Sequence, residues 1–285
     1  MDDEKYIEQA ENEIKKWESE GPGYISQVGD MILWPAQKAA DFLIPESVQE
    51  AVSGSIELFL AGLDRTANAL INVDDIRTRA AGEPDGHDSE LARADSAARH
   101  YWNWNLGIAA TEGGATGALG LVGLVADIPA LMTIAFRIIQ QIGTCYGYDV
   151  TTEAERAYVL HILRTGSTGD LKAKMEFLIG LKQIEQILLK VTWRRMGEAW
   201  AQKELSALAA LGAARNFAKS LGLQVTKRKS LQMVPVVGAL VGASFNATFI
   251  NDIGRAAYMS FRRRWIAEQF GDGGEPGGGG GSSAR

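Results

Sequence analysis

Asp127 is the residue whose setting most invites chemistry. It is one acid inside the otherwise uncharged apolar run Gly113 to Phe136, GGATGALGLVGLVADIPALMTIAF, with Pro129 two residues on. Within a membrane such an acid would be a candidate proton or cation site, because a carboxylate in hydrocarbon is costly and is kept where it is used. Between two soluble helices it is a cap: its carboxylate accepts from the amides of the following turn, and Pro129 fits within that turn. The cap is the preferred reading. Asn246, in the second uncharged run Met233 to Ile250, sits mid-helix among apolar neighbours and needs a polar partner. The expectation is a bond near the Asp127 turn that specifies packing, with part of a ligand site as the alternative.

Little else is arranged for catalysis. His161 has Val159, Leu160 and Leu163 around it, and His87 and His100 lie far off in sequence. Cys145 is the single cysteine, so no intramolecular disulfide and no zinc-type spacing can form. No G-x-S-x-G, H-E-x-x-H or G-x-x-x-x-G-K-[ST] pattern occurs. No cofactor, no metal site and no catalytic residue are expected.

The elements that would position Asp127 and Asn246 are glycine-rich helices. Gly114, Gly117, Gly120 and Gly123 recur every three residues, and Gly238 and Gly242 repeat a G-x-x-x-G spacing. On helices such stripes leave grooves where another backbone can approach. Each glycine costs up to ~1 kcal/mol of helix propensity against alanine, which close packing must offset. With a cap at Asp127 and Pro129 behind it, the first run predicts helix, tight turn, helix, and each arm is too short to cross a ~30 Å hydrocarbon core. The second run, from Pro235, predicts one long helix to about Phe270 that packs on the first.

Around these two segments the chain reads as helices throughout. Tyr6, Ile7, Ala10, Ile14 and Trp17 line one side of an acidic helix over residues 1–22. A second helical stretch, 24–43, is split at Pro35, and a third runs from Pro45 to about Val73. Residues 74–88 break the pattern and predict the main internal loop; Ser89 opens a helix that runs into the glycines. Thr152 with Glu155 three residues on is a capping-box pattern that starts the next helix, and residues 170–192 and 193–221 predict two more. Residues 271–285 are a flexible glycine-rich tail by composition. No strand alternation is seen, so the fold class is all-α: one multi-helix bundle around two central Gly/Ala-rich segments.

Charge is unevenly placed. Residues 1–100 hold 9 basic and 21 acidic side chains, whereas residues 181–285 hold 15 and 7. Either the two ends neutralise each other across the fold, or the basic third meets anionic lipid, where each Lys or Arg near the surface contributes about 1 kcal/mol. Trp193 with Arg194 and Arg195, Lys227-Arg228-Lys229, and Arg262-Arg263-Arg264 with Trp265 have the composition of interfacial anchors and are the candidate membrane contacts. The overall acidity argues against nucleic acid. The acidic opening is unlike a secretory signal, so the expected location is the cytoplasm, peripheral at the inner membrane.

Several of these residues together resemble the EcsC family of bacterial proteins. The likeness is carried by Ile44-Pro45-Glu46, Gly113-Gly114-Ala115-Thr116-Gly117, Ala126-Asp127-Ile128-Pro129, Tyr146-Gly147-Tyr148-Asp149 with Glu155-Arg156, and Pro235-Val236-Val237-Gly238-Ala239 with Asn246. It covers roughly residues 15–268 and makes 23–270 the family domain. It implies a helical cytoplasmic or membrane-associated protein. The founding member is encoded beside an ABC transporter's subunits, and no activity is implied. The functional expectation is a non-enzymatic protein peripheral at the inner membrane, accessory to an ABC-transporter-type complex. A soluble helical carrier of lipid or another apolar ligand is the alternative, and a hydrolase using Asp127 the second.

Overall fold

Period-3.6 patterning in the sequence becomes helix in the computed structural model, which describes residues 3–20, 47, 50–56, 58–59, 70–82, 89–117, 120–150, 152–167, 174–175, 178–179, 222 and 238–271. The elements are α1 (Asp3–Ser19), α2 (Val73–Ala81), α3 (Glu90–Gly117), α4 (Gly120–Cys145), α5 (Glu153–Ser167) and α6 (Gly238–Phe270). Residues 50–56 are also helical, with Val52 and Ile56 fully buried. No strand occurs among the described residues. The expected helices over 24–43, 170–192 and 193–221, and the tail beyond residue 271, lie outside the described residues or nearly so.

Helix α6 is the axis. Asp95 meets Tyr146, and Asn105 meets Gln141 and Arg137, so α3 and α4 run antiparallel as a hairpin. Arg99 meets Tyr258 and Asp95 meets Arg262, which sets α6 antiparallel to α3 and parallel to α4. Tyr158 meets Ser260, and Glu155 meets Arg264, so α5 also opposes α6. Glu13 and Glu20 meet Arg262 and Arg255, so α1 does too. The core these helices share includes Ile128, Leu131, Met132, Ile138 and Ile142 of α4 with Phe249, Ile250, Ile253 and Phe261 of α6, all fully buried or nearly so. Each such side chain contributes about 1.5–3 kcal/mol by leaving water.

Two expectations need correction. The first is the turn at Asp127-Pro129, because α4 is continuous from Gly120 to Cys145 with Pro129 inside it. A proline there removes one backbone donor and costs about 3 kcal/mol. The fully buried Ile128, Leu131 and Met132 hold the helix together on either side, and Pro129 itself faces outward. The hairpin reverses between Gly117 and Gly120 instead, so the glycines that suggested a groove flank its tip. Asp127 is therefore a mid-helix residue and not an N-cap.

The second correction is the loop at 74–88. Its first part is helix α2, capped by Asn72, whose Oδ1 accepts from the Asp75 amide at 3.3 Å. Asp74 and Asp75 in the first turn and Arg79 in the last complement the helix dipole. Only Ile76 is buried, so the apolar periodicity was too sparse to read. Half of the expected capping box is present, Thr152 Oγ1 accepting from the Glu155 amide at 3.4 Å while the Glu155 carboxylate goes to Arg264. Ser89, where a helix start is expected, caps α3 by accepting from the Ala92 amide at 3.2 Å.

The close helix approaches in the described core use glycines outside the two stripes. A Cβ on Gly166 would lie 2.6 Å from Ile253 Cα, and one on Gly254 would lie 2.6 Å from the Trp102 ring and 2.8 Å from Ile138. These contacts seat α5 and α3 against α6.

Candidate functional site

Among the described residues, two sets of buried polar side chains lie at opposite ends of α6. At its N-terminal half, Asp127 of α4 and Asn246 of α6 are 1% and 0% exposed, and Asn246 Nδ2 donates to Asp127 Oδ2 at 2.8 Å. The partner that a buried asparagine requires is thus the acid of the first apolar run. Around them, residues 113–126, 128–136 and 233–251 contain no charged side chain. Gly114, Gly117, Gly120, Gly123, Gly238 and Gly242 all lie in the helices of this end.

The other half of α6 is dense in charge. Asp95, 0% exposed on α3, accepts from Tyr6 Oη at 2.6 Å and Tyr146 Oη at 2.5 Å, and pairs with Arg262 Nη2 at 2.7 Å. Arg262 Nη1 reaches Glu13 of α1 at 2.6 Å, and its guanidinium lies 5.7 and 5.3 Å from the centres of the Tyr6 and Tyr258 rings. Burial opposes the Arg262 charge, but Asp95, Tyr258 and Glu13 outweigh it and raise its pKa above the usual arginine value. Burial and the Asp95 charge push the Tyr146 and Tyr258 hydroxyls well above the usual phenol value. Both hydroxyls are therefore neutral at any physiological pH, Tyr146 donating to Asp95 and Tyr258 accepting from Arg99.

Two residues on, Arg264 grips Glu155 of α5 with two nitrogens at 2.6 and 2.8 Å and holds Glu268 through Nε at 2.9 Å. Its guanidinium lies 4.0 Å from the centre of the Tyr148 ring, and Tyr148 Oη donates to Glu268 at 3.1 Å. Such bidentate pairs fix orientation as well as energy. Arg263, between the two, pairs with Glu18 at 2.5 Å.

This arrangement corrects the assignment of Arg262 and Arg264 as membrane contacts: they are 1% and 3% exposed and turn inward. Successive residues on a helix point about 100° apart, so three consecutive arginines face three neighbours, and α1, α3 and α5 each supply an acid. Arg263 is covered by Glu18, and Trp265 is half-buried, 6.3 Å from the Phe270 ring. Trp193, Arg194, Arg195, Lys227, Arg228 and Lys229 lie outside the described residues. Arg255 bonds Glu20, just past the end of α1, at 2.7 Å.

Sequence reasoning missed Asp95, Tyr6, Tyr258 and Glu13. The available signal was an acid within the alanine-rich face Ala94, Ala97, Ala98 of α3, where an isolated charge must be answered. Among the described residues no three His, Cys, Asp or Glu side chains are grouped to hold a metal ion. The Cys145 thiol is buried and pushed up to about 12 by that burial, which makes it a poor nucleophile. Burial brings His161 down to about 4, so its imidazole is neutral in the fold. A cleft of about 320 Å³ opens beside Tyr146, edged by Arg77, Glu90, Arg93 and Trp265. Helix α4 from Asp127 to Cys145 is long and apolar enough to cross a membrane, but 72% of it is buried in the protein.

Fold and polar core together define an all-helical bundle organised on one long C-terminal helix. The EcsC protein family model matches residues 8–266, and the chain belongs to that family. It is 23% identical to protein EcsC of Bacillus subtilis (strain 168) over 229 residues, 80% of this chain and 84% of that protein. It is 29% identical to the uncharacterized protein YdbA of the same organism over 162 residues, 57% of this chain and about half (54%) of that protein's length. No solved structure matches the chain. Tyr146, Tyr148 and Glu155, which carried the family resemblance, are the residues that build the charged half of the core.

Proposed function

We propose that this is a non-enzymatic protein that sits on the cytoplasmic face of a membrane and works beside a membrane complex of the ABC-transporter kind, the context the family resemblance implies. The observation that supports the membrane contact is the segregation of charge along the bundle. The tip of the α3–α4 hairpin and the start of α6 lie at the same end, and the sequence there is uncharged over 113–126 and 233–251. Along α6 the uncharged stretch from Gly238 to Asp252 measures ~21 Å. That suits one leaflet of a bilayer and falls short of the ~30 Å hydrocarbon core. The apolar end enters the leaflet, and the ion-paired end stays in water.

The carrier reading would need an apolar cavity; among the described residues, the cleft beside Tyr146 is edged by two arginines and a glutamate.

Flotation of the full-length protein with neutral and with anionic vesicles, at low and high salt, tests the membrane reading. The expected result is flotation that survives high salt. Failure to float with either vesicle overturns it.

A further inference from the structure

The acidic N-terminal helix lies on the basic half of α6, charge to charge. Glu13, Glu18 and Glu20 stand on Arg262, Arg263 and Arg255 at 2.6, 2.5 and 2.7 Å. Lys174 closes the end of α1 by donating to the carbonyl of Trp17 and, at 2.8 Å, to that of Glu20. It lies 4.6 Å from the centre of the Trp17 ring. Burial, and after it the nearby Arg255, bring its ammonium down to about 8, against the opposing charges of Glu20, Glu18 and Asp252.

The arginines under α1 are not alike. Arg262 is also held by the buried Asp95 and belongs to the core. Arg255 and Arg263 take acids from α1 and sit nearer the surface, with side chains 29% and 13% exposed. By spacing, Arg255, Met259, Arg262 and Ile266 form one stripe of α6, with Arg263 beside it about 100° round from Arg262. A guanidinium fork accepts a carboxylate and a phosphate alike. The α1 glutamates thus occupy the places that lipid phosphates would take.

We infer that α1 masks a binding surface for anionic lipid headgroups, formed by Arg255 and Arg263 with Lys174 beside them, and that a bilayer displaces α1 from it. This rests on the reading of the chain as membrane-associated. Helix α1 carries six acids against three lysines, so an anionic surface repels the mask as it attracts what lies beneath. Leaving costs α1 the burial of Ala10, Ile14 and Trp17 and the bonds of Tyr6 to Asp95 and of Glu13 to Arg262.

The test compares wild type with Glu18→Gln/Glu20→Gln, using vesicles of phosphatidylcholine alone and with phosphatidylglycerol. Binding is read by flotation, and α1 by amide hydrogen exchange. The double variant is expected to bind the anionic vesicles roughly tenfold more tightly, and neutral vesicles no better, with the gain lost when Arg255→Gln/Arg263→Gln is added. In wild type, exchange within α1 rises on anionic vesicles and is unchanged by inorganic phosphate. Equal binding by variant and wild type, with α1 protected on the bilayer, overturns the mask and leaves the membrane reading standing. Release by inorganic phosphate overturns lipid as the ligand. No binding of either protein overturns the membrane reading and the mask together. If the variant does not fold, wild-type exchange decides alone.

Discussion

The two halves of α6 solve one problem, holding helices together, by different means. From Gly238 to Asn251 it has no charge, and a single buried pair, Asn246 with Asp127, joins it to α4. From Asp252 to Phe270 its arginines are answered one by one from α1, α3 and α5. A buried ion pair costs much to desolvate, and its net contribution is small beside the cost of losing one partner. The charged half therefore fixes which helix lies where. The other half faces one acid, Asp127 of α4, shielded by burial against Asn246, and otherwise meets an apolar medium with no charge to strand.

Single substitutions can break this contrast. Asp95→Ala strands Arg262 and removes the acceptor of two tyrosine hydroxyls, so a loss of about 3–5 kcal/mol is expected in urea unfolding. A loss under about 1 kcal/mol would mean the charged half is not organised on that carboxylate.

Acid should act next. His161 titrates at about 4 in the fold and near 6.5 when unfolded, so between those values the unfolded chain binds the extra proton. Stability from this residue is complete above pH ~6.5 and falls by about 3 kcal/mol as pH drops towards 4. The pH dependence of the urea midpoint measures this, and His161→Leu should flatten it over that window. An unchanged profile would contradict the burial of His161.

The smallest effect belongs to the uncharged half. Asp127→Asn keeps an oxygen for Asn246 Nδ2 and should cost about 1–2 kcal/mol by the same unfolding assay. A cost equal to that of Asp95→Ala would erase the difference between the halves.

What the sequence made legible follows from the range of the physics involved. A helix with dense apolar spacing such as α6, and a cap such as Thr152, are local and could be read directly. Asn246 and Asp127 could be linked because each was a lone polar group in an apolar run. Pro129 misled because its local cost was overruled by burial on both sides, a tertiary effect. Helix α2 went unread because one buried residue, Ile76, makes no period. The arginines 262–264 looked like a surface patch because their partners lie 109 to 249 residues away. Only the net charges of the two ends hinted that they meet.

The most direct test places one label at each end of α6's surroundings. Cys145 is buried and its thiol is pushed up to about 12, so a cysteine introduced as Gly120→Cys or Gln269→Cys takes an environment-sensitive fluorophore selectively. With anionic vesicles the label at position 120 should shift to the blue and become shielded from aqueous quencher. The label at position 269 should remain quenchable. A label at 120 that stays in water, or one at 269 that enters lipid in its place, would contradict the account.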